Sequence, residues 1–298
     1  MPTDAVLREL LVRHLEAWLP GALHRARRAT VALAYADGGA DSAEAALRAV
    51  AEYADRLRGR QLTVLVLADG TAELPARLGA AQAGLPAEVA VHVVPGGPAR
   101  LPVAVKAAGA AGAPLLSYVD GPADPAALTA TAVGRPAEAL FVTAAGTPAR
   151  DALADAGFPL ATEVELVPAD GAPARLLSFA TGSDKSLEAF KEALWAVDGF
   201  AGVRYRDPAD PAGRLLDIAL TPEPGPLRRE LLAELARSGP RTVTELRRYA
   251  LTATVYRSAD AVRALTGLLG TGEVTRDPEH GRLGGDVLIT GPDARPAG

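Results

Sequence analysis

Three acidic residues, each followed by glycine, stand directly after short apolar runs. They are Asp37-Gly38-Gly39 after TVALAYA (30–36), Asp69-Gly70 after LTVLVLA (62–68) and Asp120-Gly121-Pro122 after PLLSYV (114–119). The residue types suit ligand chemistry. Glycine lets the backbone approach a bound group closely, and a carboxylate in the same turn accepts hydrogen bonds from an amino group or a ribose diol. In that reading Asp37, Gly38, Gly39 and Asp69 bind a cofactor, and Asp120 faces its reacting end or the substrate as the candidate catalytic residue. Asp-Gly is equally a common turn dipeptide, and a strand-to-helix loop needs turn residues whatever it binds. PGG (95–97), after AEVAVHVV (87–94), has no acid or aromatic beside it and reads as a plain turn.

For these turns to converge, the runs before them must be neighbouring strands. Five runs of strand length, the fifth being EALFVTA (138–144), are separated by helix-length segments, which predicts a doubly wound parallel sheet. Ligands in such a sheet sit at the C-terminal strand edges, near the point where strand order reverses. TEVELVPA (162–169) and ARLLSFAT (174–181) are separated only by DGAP, so they should pair antiparallel. The expected fold class is therefore α/β: a Rossmann-like sheet of class I methyltransferase type, with five parallel-type strands and a C-terminal hairpin.

Leu7, Leu10, Leu11, Leu15, Trp18 and Leu19 recur at helical spacing, predicting a lead-in helix over 4–19 that Pro20 and Gly21 end or bend. A second amphipathic helix is expected over 182–199, capped by Ser183 or Asp184. TPEPGP (221–226) is the best linker candidate, dividing a methyltransferase-like domain (1–224) from a smaller domain (225–298). The latter reads as three helices and two strand-like halves around a polar turn. That is the make-up of a winged helix, with a plain helical cap as the alternative.

Composition narrows the chemistry. The absence of cysteine excludes disulfides, thiolate metal sites and cysteine nucleophiles, and the four histidines show no metal-ligand spacing. No metal is expected. No Gly-x-Ser-x-Gly or Walker-type turn is present. The N-terminal helix carries charges within its apolar stripe, so neither a signal peptide nor a membrane span is expected, and the protein reads as cytoplasmic. The net charge of −5 divides into −7 before Gly225 and +2 after it. Any nucleic-acid contact would therefore fall in the second domain, where Arg247, Arg248, Arg257, Arg263 and Arg276 are candidate contacts for phosphate or for a protein partner, and 257–269 the candidate recognition helix. Asp260, Glu273, Asp277 and Glu279 dilute that patch, which leaves protein docking or dimerisation at least as good a reading.

LLSFATGSDKSLEAFKEALWAVD (176–198) resembles the signature of the three-Cys-motif partner proteins. Phe179-Ala180-Thr181, Lys185, Leu187, Lys191, Trp195 and Asp198 match its recurring positions. The likeness extends to LRELLVRHLEAWL, AALRAVAEYADRLRGRQLTVLVL and TVTELRRYALTATVYRSADAVRALTGLLGTGEV. The resemblance implies a methyltransferase-like domain followed by a winged helix, with S-adenosylmethionine as the cofactor and a separate three-cysteine-motif protein as a companion. Departures from the family pattern fall at the ligand edge. GGADSAEAAL replaces a Phe-Ala-Gly-Pro-Gly-like turn, Ala68 stands where an acid is expected, and Asp-Pro-Phe-Gly becomes Asp120-Gly121-Pro122-Ala123. Three readings result. The first is an accessory or interaction protein with weakened or lost cofactor binding and a winged helix that docks a protein partner or forms a homodimer. The second is an active S-adenosylmethionine-dependent methyltransferase, and the third a DNA-binding regulator.

Overall fold

The structure, a computed structural model, describes residues 2–68, 74–122, 124–146, 148–199 and 201–292. The chain forms two compact units, Met1–Ile218 and Ala219–Gly298. In the first, helix α1 (Pro2–Arg25) precedes strand β1 (Arg28–Tyr35), α2 (Ala40–Ala51), β2 (Gln61–Ala68), α3 (Leu74–Gln82), β3 (Val89–Pro95), α4 (Leu101–Ala107) and β4 (Leu115–Asp120). Then come α5 (Pro125–Thr131), β5 (Ala137–Ala144), α6 (Arg150–Asp155), β6 (Leu160–Pro168), β7 (Arg175–Thr181), α7 (Asp184–Trp195), β8 (Val203–Arg206) and β9 (Leu215–Leu216).

All nine strands join one sheet in the order β3-β2-β1-β4-β5-β7-β6-β8-β9. The first five are parallel, and the order reverses between β1 and β4. Strand β7 runs antiparallel between β5 and β6, as the hairpin-length connection requires. Strands β8 and β9 extend the sheet beyond the expected hairpin. β1 is buried from Ala29 to Tyr35, which is why it reads as a continuous apolar run and not as an alternating one. Ala32, Ala34, Val119 and Phe141 face a core built with α4, α5 and α6. Alternation turns Leu33, Tyr35, Tyr118 and Asp120 to the opposite face.

Helix α1 does not stop at Pro20 but runs on to Arg25. Proline has no N–H to give the Glu16 carbonyl, yet that carbonyl is not orphaned, because the Tyr53 hydroxyl donates to it at 3.2 Å. Burial of Ala22 and Leu23 gives the last turn a packing reason to form. On the same helix His14, 2% exposed, holds Glu138 of β5 through Nε2 at 2.9 Å, and Ser186 of α7 donates to the other Glu138 oxygen at 2.6 Å. The imidazole lies edge-on to Phe179 and Phe190, with centroids 4.7 and 5.7 Å away. Ser183 caps α7 by accepting from the Ser186 N–H at 3.2 Å. The stripe of that helix buries Leu187, Phe190, Lys191, Leu194 and Trp195.

The second unit contains α8 (Gly225–Ser238), β10 (Arg241–Thr242), α9 (Val243–Ala253), α10 (Ser258–Thr271), β11 (Thr275–Asp277) and β12 (Leu288–Thr290). Its three short strands form an antiparallel sheet in the order β10-β12-β11. Thr242 and Glu245 cap α9 reciprocally, so the same residue ends β10 and starts the helix. Leu227, Leu231, Leu246, Leu265 and Ile289 are fully buried in it.

The His14–Glu138–Ser186 link yields a stability test. Glu138→Ala strips buried His14 and half-buried Ser186 of their acceptor and should lower the unfolding free energy by about 2–3 kcal/mol, read from the urea midpoint. An unchanged midpoint would mean that burying this carboxylate costs as much as its hydrogen bonds return.

Candidate functional site

The point of strand reversal is where two of the three acidic turns meet. Tyr35 ends β1, Asp120 ends β4, and the two are register partners. The chains stay stitched beyond them, with Ala36 N–H donating to the Asp120 carbonyl at 2.7 Å and Gly121 N–H to the Val142 carbonyl at 3.0 Å. Gly121 has φ of +152°, and a Cβ there would lie 2.9 Å from that of Ala36. Only glycine lets the two turns approach so closely.

Above this junction lies a cleft of about 980 Å³. Its walls include Asp37, Gly38 and Gly39 from the β1–α2 turn, Asp120 at the end of β4 with Gly121 after it, and Thr143 of β5. Asp4 and Arg8 enter from the first turns of α1, and Arg77 from α3. Tyr35 and Tyr118 form the floor, each 2% exposed, with ring centroids 5.7 Å apart. They support the cleft from below and leave it open. The Tyr35 ring lies where a Cβ of residue 39 would be, and Gly39 has φ of +88°. Both reasons demand glycine at this position, whatever the turn binds. Burial raises the Tyr35 and Tyr118 hydroxyls well above the ordinary phenol range, so both remain neutral.

The carboxylates occupy different surroundings. Asp37 is exposed at the turn and has no hydrogen-bond or ionic partner among the described residues. Asp41, in the first turn of α2, is gripped by Arg77 at 2.8 Å with Arg8 at 4.0 Å, and the bond to Arg77 holds its carboxyl below the usual range. Arg77 also holds Glu44 at 2.7 Å. Asp120 is paired with Arg175, the first residue of β7. Because β7 is antiparallel, its beginning lies at the C-terminal edge of β5, with Arg175 opposite Ala144. The sequence signal for Arg175 was present in the hairpin spacing, which carries the first residue of its second strand to this edge. Arg8, Arg77 and the α1 wall had no such signal. Asp69 lies outside the described residues.

Burial pushes the Asp120 carboxyl up, Arg175 opposes that, and Asp4 and Asp37 reinforce it. Folding therefore favours the protonated acid. The stability gained is present below the unfolded value of about 3.9 and is lost as pH rises through the raised folded value. Asp120→Asn removes this loss, so the stability of the variant relative to the native protein should increase from acid to neutral pH in urea unfolding. A flat or opposite trend would show that Arg175 outweighs burial.

In the second unit the candidate arginines do not form one surface. Arg247 and Arg248 are exposed on α9. Arg257 is buried, bound to Asp260 through Nε at 2.9 Å and donating to the Leu220 carbonyl at 2.8 Å. Arg263 holds the same Asp260 at 2.6 Å. Arg276 donates to the carbonyls of Pro278, Gly281 and Arg282, closing the turn between β11 and β12. Among the described residues there is no group of His, Asp and Glu able to hold a metal ion, and no helix long and apolar enough to cross a membrane.

A sheet parallel through 3-2-1-4-5, followed by an antiparallel 7-6 pair, has the Rossmann-like order of methyltransferases, and the cleft lies at its strand reversal, where doubly wound sheets in general bind ligands. No protein-family model matches the chain, and no curated protein matches it. Among solved structures it is similar to a predicted O-methyltransferase from Agrobacterium tumefaciens, at 13% identity over 52% of this chain and 74% of that one, with a TM-score of 0.30.

Proposed function

We propose that this is an accessory or interaction protein of the three-Cys-motif partner type, built on a methyltransferase-like unit that keeps a weakened site for S-adenosylmethionine or its demethylated product. The observation that carries this reading is the open cleft between Asp37, which has no partner among the described residues, and an Asp120 that Arg175 already holds. A cleft of this volume is of the size that takes nucleoside-sized ligands. Gly38 has open space where a side chain would stand, which leaves room for a ligand beside the turn, and Asp37 can accept from an amino group or a hydroxyl. Bound there, S-adenosylmethionine would supply an activated methyl group. The chain's own contribution at the acceptor end is less favourable, since Arg175 already occupies one oxygen of the Asp120 carboxylate. No aromatic or proline stands in the turn to stack on a ligand or shape it.

The second unit, in the order helix, strand, helix, helix, strand, strand, supports a winged-helix reading. With Arg257 buried and Arg276 closing a turn, its charge suits docking to a protein or to a second copy better than following a phosphate backbone. The openness of the cleft favours one competing reading, an active S-adenosylmethionine-dependent methyltransferase.

Calorimetric titration with S-adenosylmethionine and S-adenosylhomocysteine should give binding weaker than the low-micromolar range. Low-micromolar binding abolished by Asp37→Ala would instead overturn the weakened-site reading. Fluorescence anisotropy with duplex DNA at physiological salt should show no binding. A salt-dependent complex lost on changing Arg247 and Arg248 to Ala would replace the docking reading with a DNA-binding one.

A further inference from the structure

Strand β3 forms one edge of the nine-stranded sheet, and half of its backbone bonding capacity faces outward. At the two ends of its pairing with β2, Leu62 N–H donates to the Glu88 carbonyl at 3.0 Å and Gly96 N–H to the Ala68 carbonyl at 3.3 Å. Bonding alternates along a ladder, so Ala90, His92 and Val94 face β2, whereas Val91 and Val93 turn their N–H and C=O groups away from it. Among the described residues nothing bonds to these outer groups. Val89 N–H is taken by the Pro86 carbonyl at 3.0 Å, and Pro95 has no N–H. An edge of this kind is usually guarded by charge. From Leu74 to Val105 the chain carries only Arg77, Glu88 and Arg100 as charged residues, and Arg77 is held by Asp41 and Glu44. Glu88 and Arg100 stand at opposite ends of the edge, each without a hydrogen-bond or ionic partner among the described residues.

Symmetry and charge select what can pair here. Because β3 runs from Val89 to Pro95, an antiparallel copy centred on His92 overlaps its whole length. In that register Val91 of one copy faces Val93 of the other, and each such pair exchanges both of its hydrogen bonds. Val89 faces Pro95, and neither has a free N–H, so no donor is stranded. A slip of one residue would set outward groups against inward ones. One step beyond the strand, Glu88 faces Gly96 of the second copy. The Arg100 side chain lies over Gly96, with Cγ 2.5 Å from where a Cβ would stand. The two-fold axis thus brings Glu88 to Arg100 twice. An unrelated extended segment could satisfy the backbone, but the charges at both ends are matched by the chain's own. We infer that β3 is the surface through which a second copy of this chain pairs, antiparallel about a two-fold axis at His92, continuing the sheet across a dimer. The contact belongs to the first unit and does not depend on what the cleft binds.

Sedimentation velocity of the full chain at micromolar concentrations tests the inference, and a dimer is expected. Val93→Pro removes an outward N–H without touching the pairing with β2, and should raise the dissociation constant at least about tenfold with native-like circular dichroism. Glu88→Arg and Arg100→Glu each create two like-charge contacts across the axis and should each weaken the dimer about tenfold. The double variant restores opposite charges and should return to within about threefold of the native protein. This charge exchange decides the matter even if Val93→Pro fails to fold. A monomeric native chain overturns the inference. So does a dimer indifferent to the single charge changes, which would place the contact elsewhere, or a double variant that fails to recover, which would rule out the two-fold register.

Discussion

The insertion of β7 antiparallel beside β5 governs the ligand edge. In a wholly parallel sheet that edge is lined only by the ends of strands and the turns that follow them. Reversing one strand places a strand beginning there instead, and here the beginning is Arg175. Its guanidinium lies against Asp120 at the end of β4, across the intervening β5. The carboxylate is thus neither a free acid in a solvated turn nor an unpaired buried charge. Its proton affinity is set by burial against a cation, with burial the stronger influence.

The space above that pair depends on what lies below it. Tyr35 and Tyr118 are large enough to block a cleft, but both rings turn inward from the strand ends and pack against each other. The Tyr35 ring fits because residue 39 has no side chain. Helix α1 supplies the remaining wall, and it is locked to the sheet through His14 and Glu138, far along the helix from the residues at the cleft. A buried, hydrogen-bonded link of this kind sets the register of a long helix more sharply than apolar contact alone.

Charge in the second unit is arranged differently. Arginines that look like a basic patch in the chain are largely internal fasteners: one carboxylate, Asp260, takes two of them, and three carbonyls take another. Net charge counts such residues as available, whereas the folded unit has already committed them. Arg247 and Arg248 are exposed on α9.

Much of this was legible before folding. Strands β1, β2, β4 and β5 announced themselves as uninterrupted apolar runs, because a strand covered on both faces has no polar alternation, whereas β3, expected to be buried like them, is the half-exposed edge of the sheet. DGAP fixed the hairpin, and the Gly-bearing turns marked the strand ends. Local chemistry suffices for such features, since each depends on residues close in the chain. The continuation of α1 through Pro20 was not legible, because the rescue of the Glu16 carbonyl comes from Tyr53. Nor were Arg8 and Arg77 on Asp41, the phenol floor, or the partners of Arg257 and Arg276. Sequence alone therefore determined the strands, their turns and the acids placed after them. Only the tertiary structure decided which acid is held and by which cation, because side-chain pairing depends on distances between segments that local periodicity does not encode.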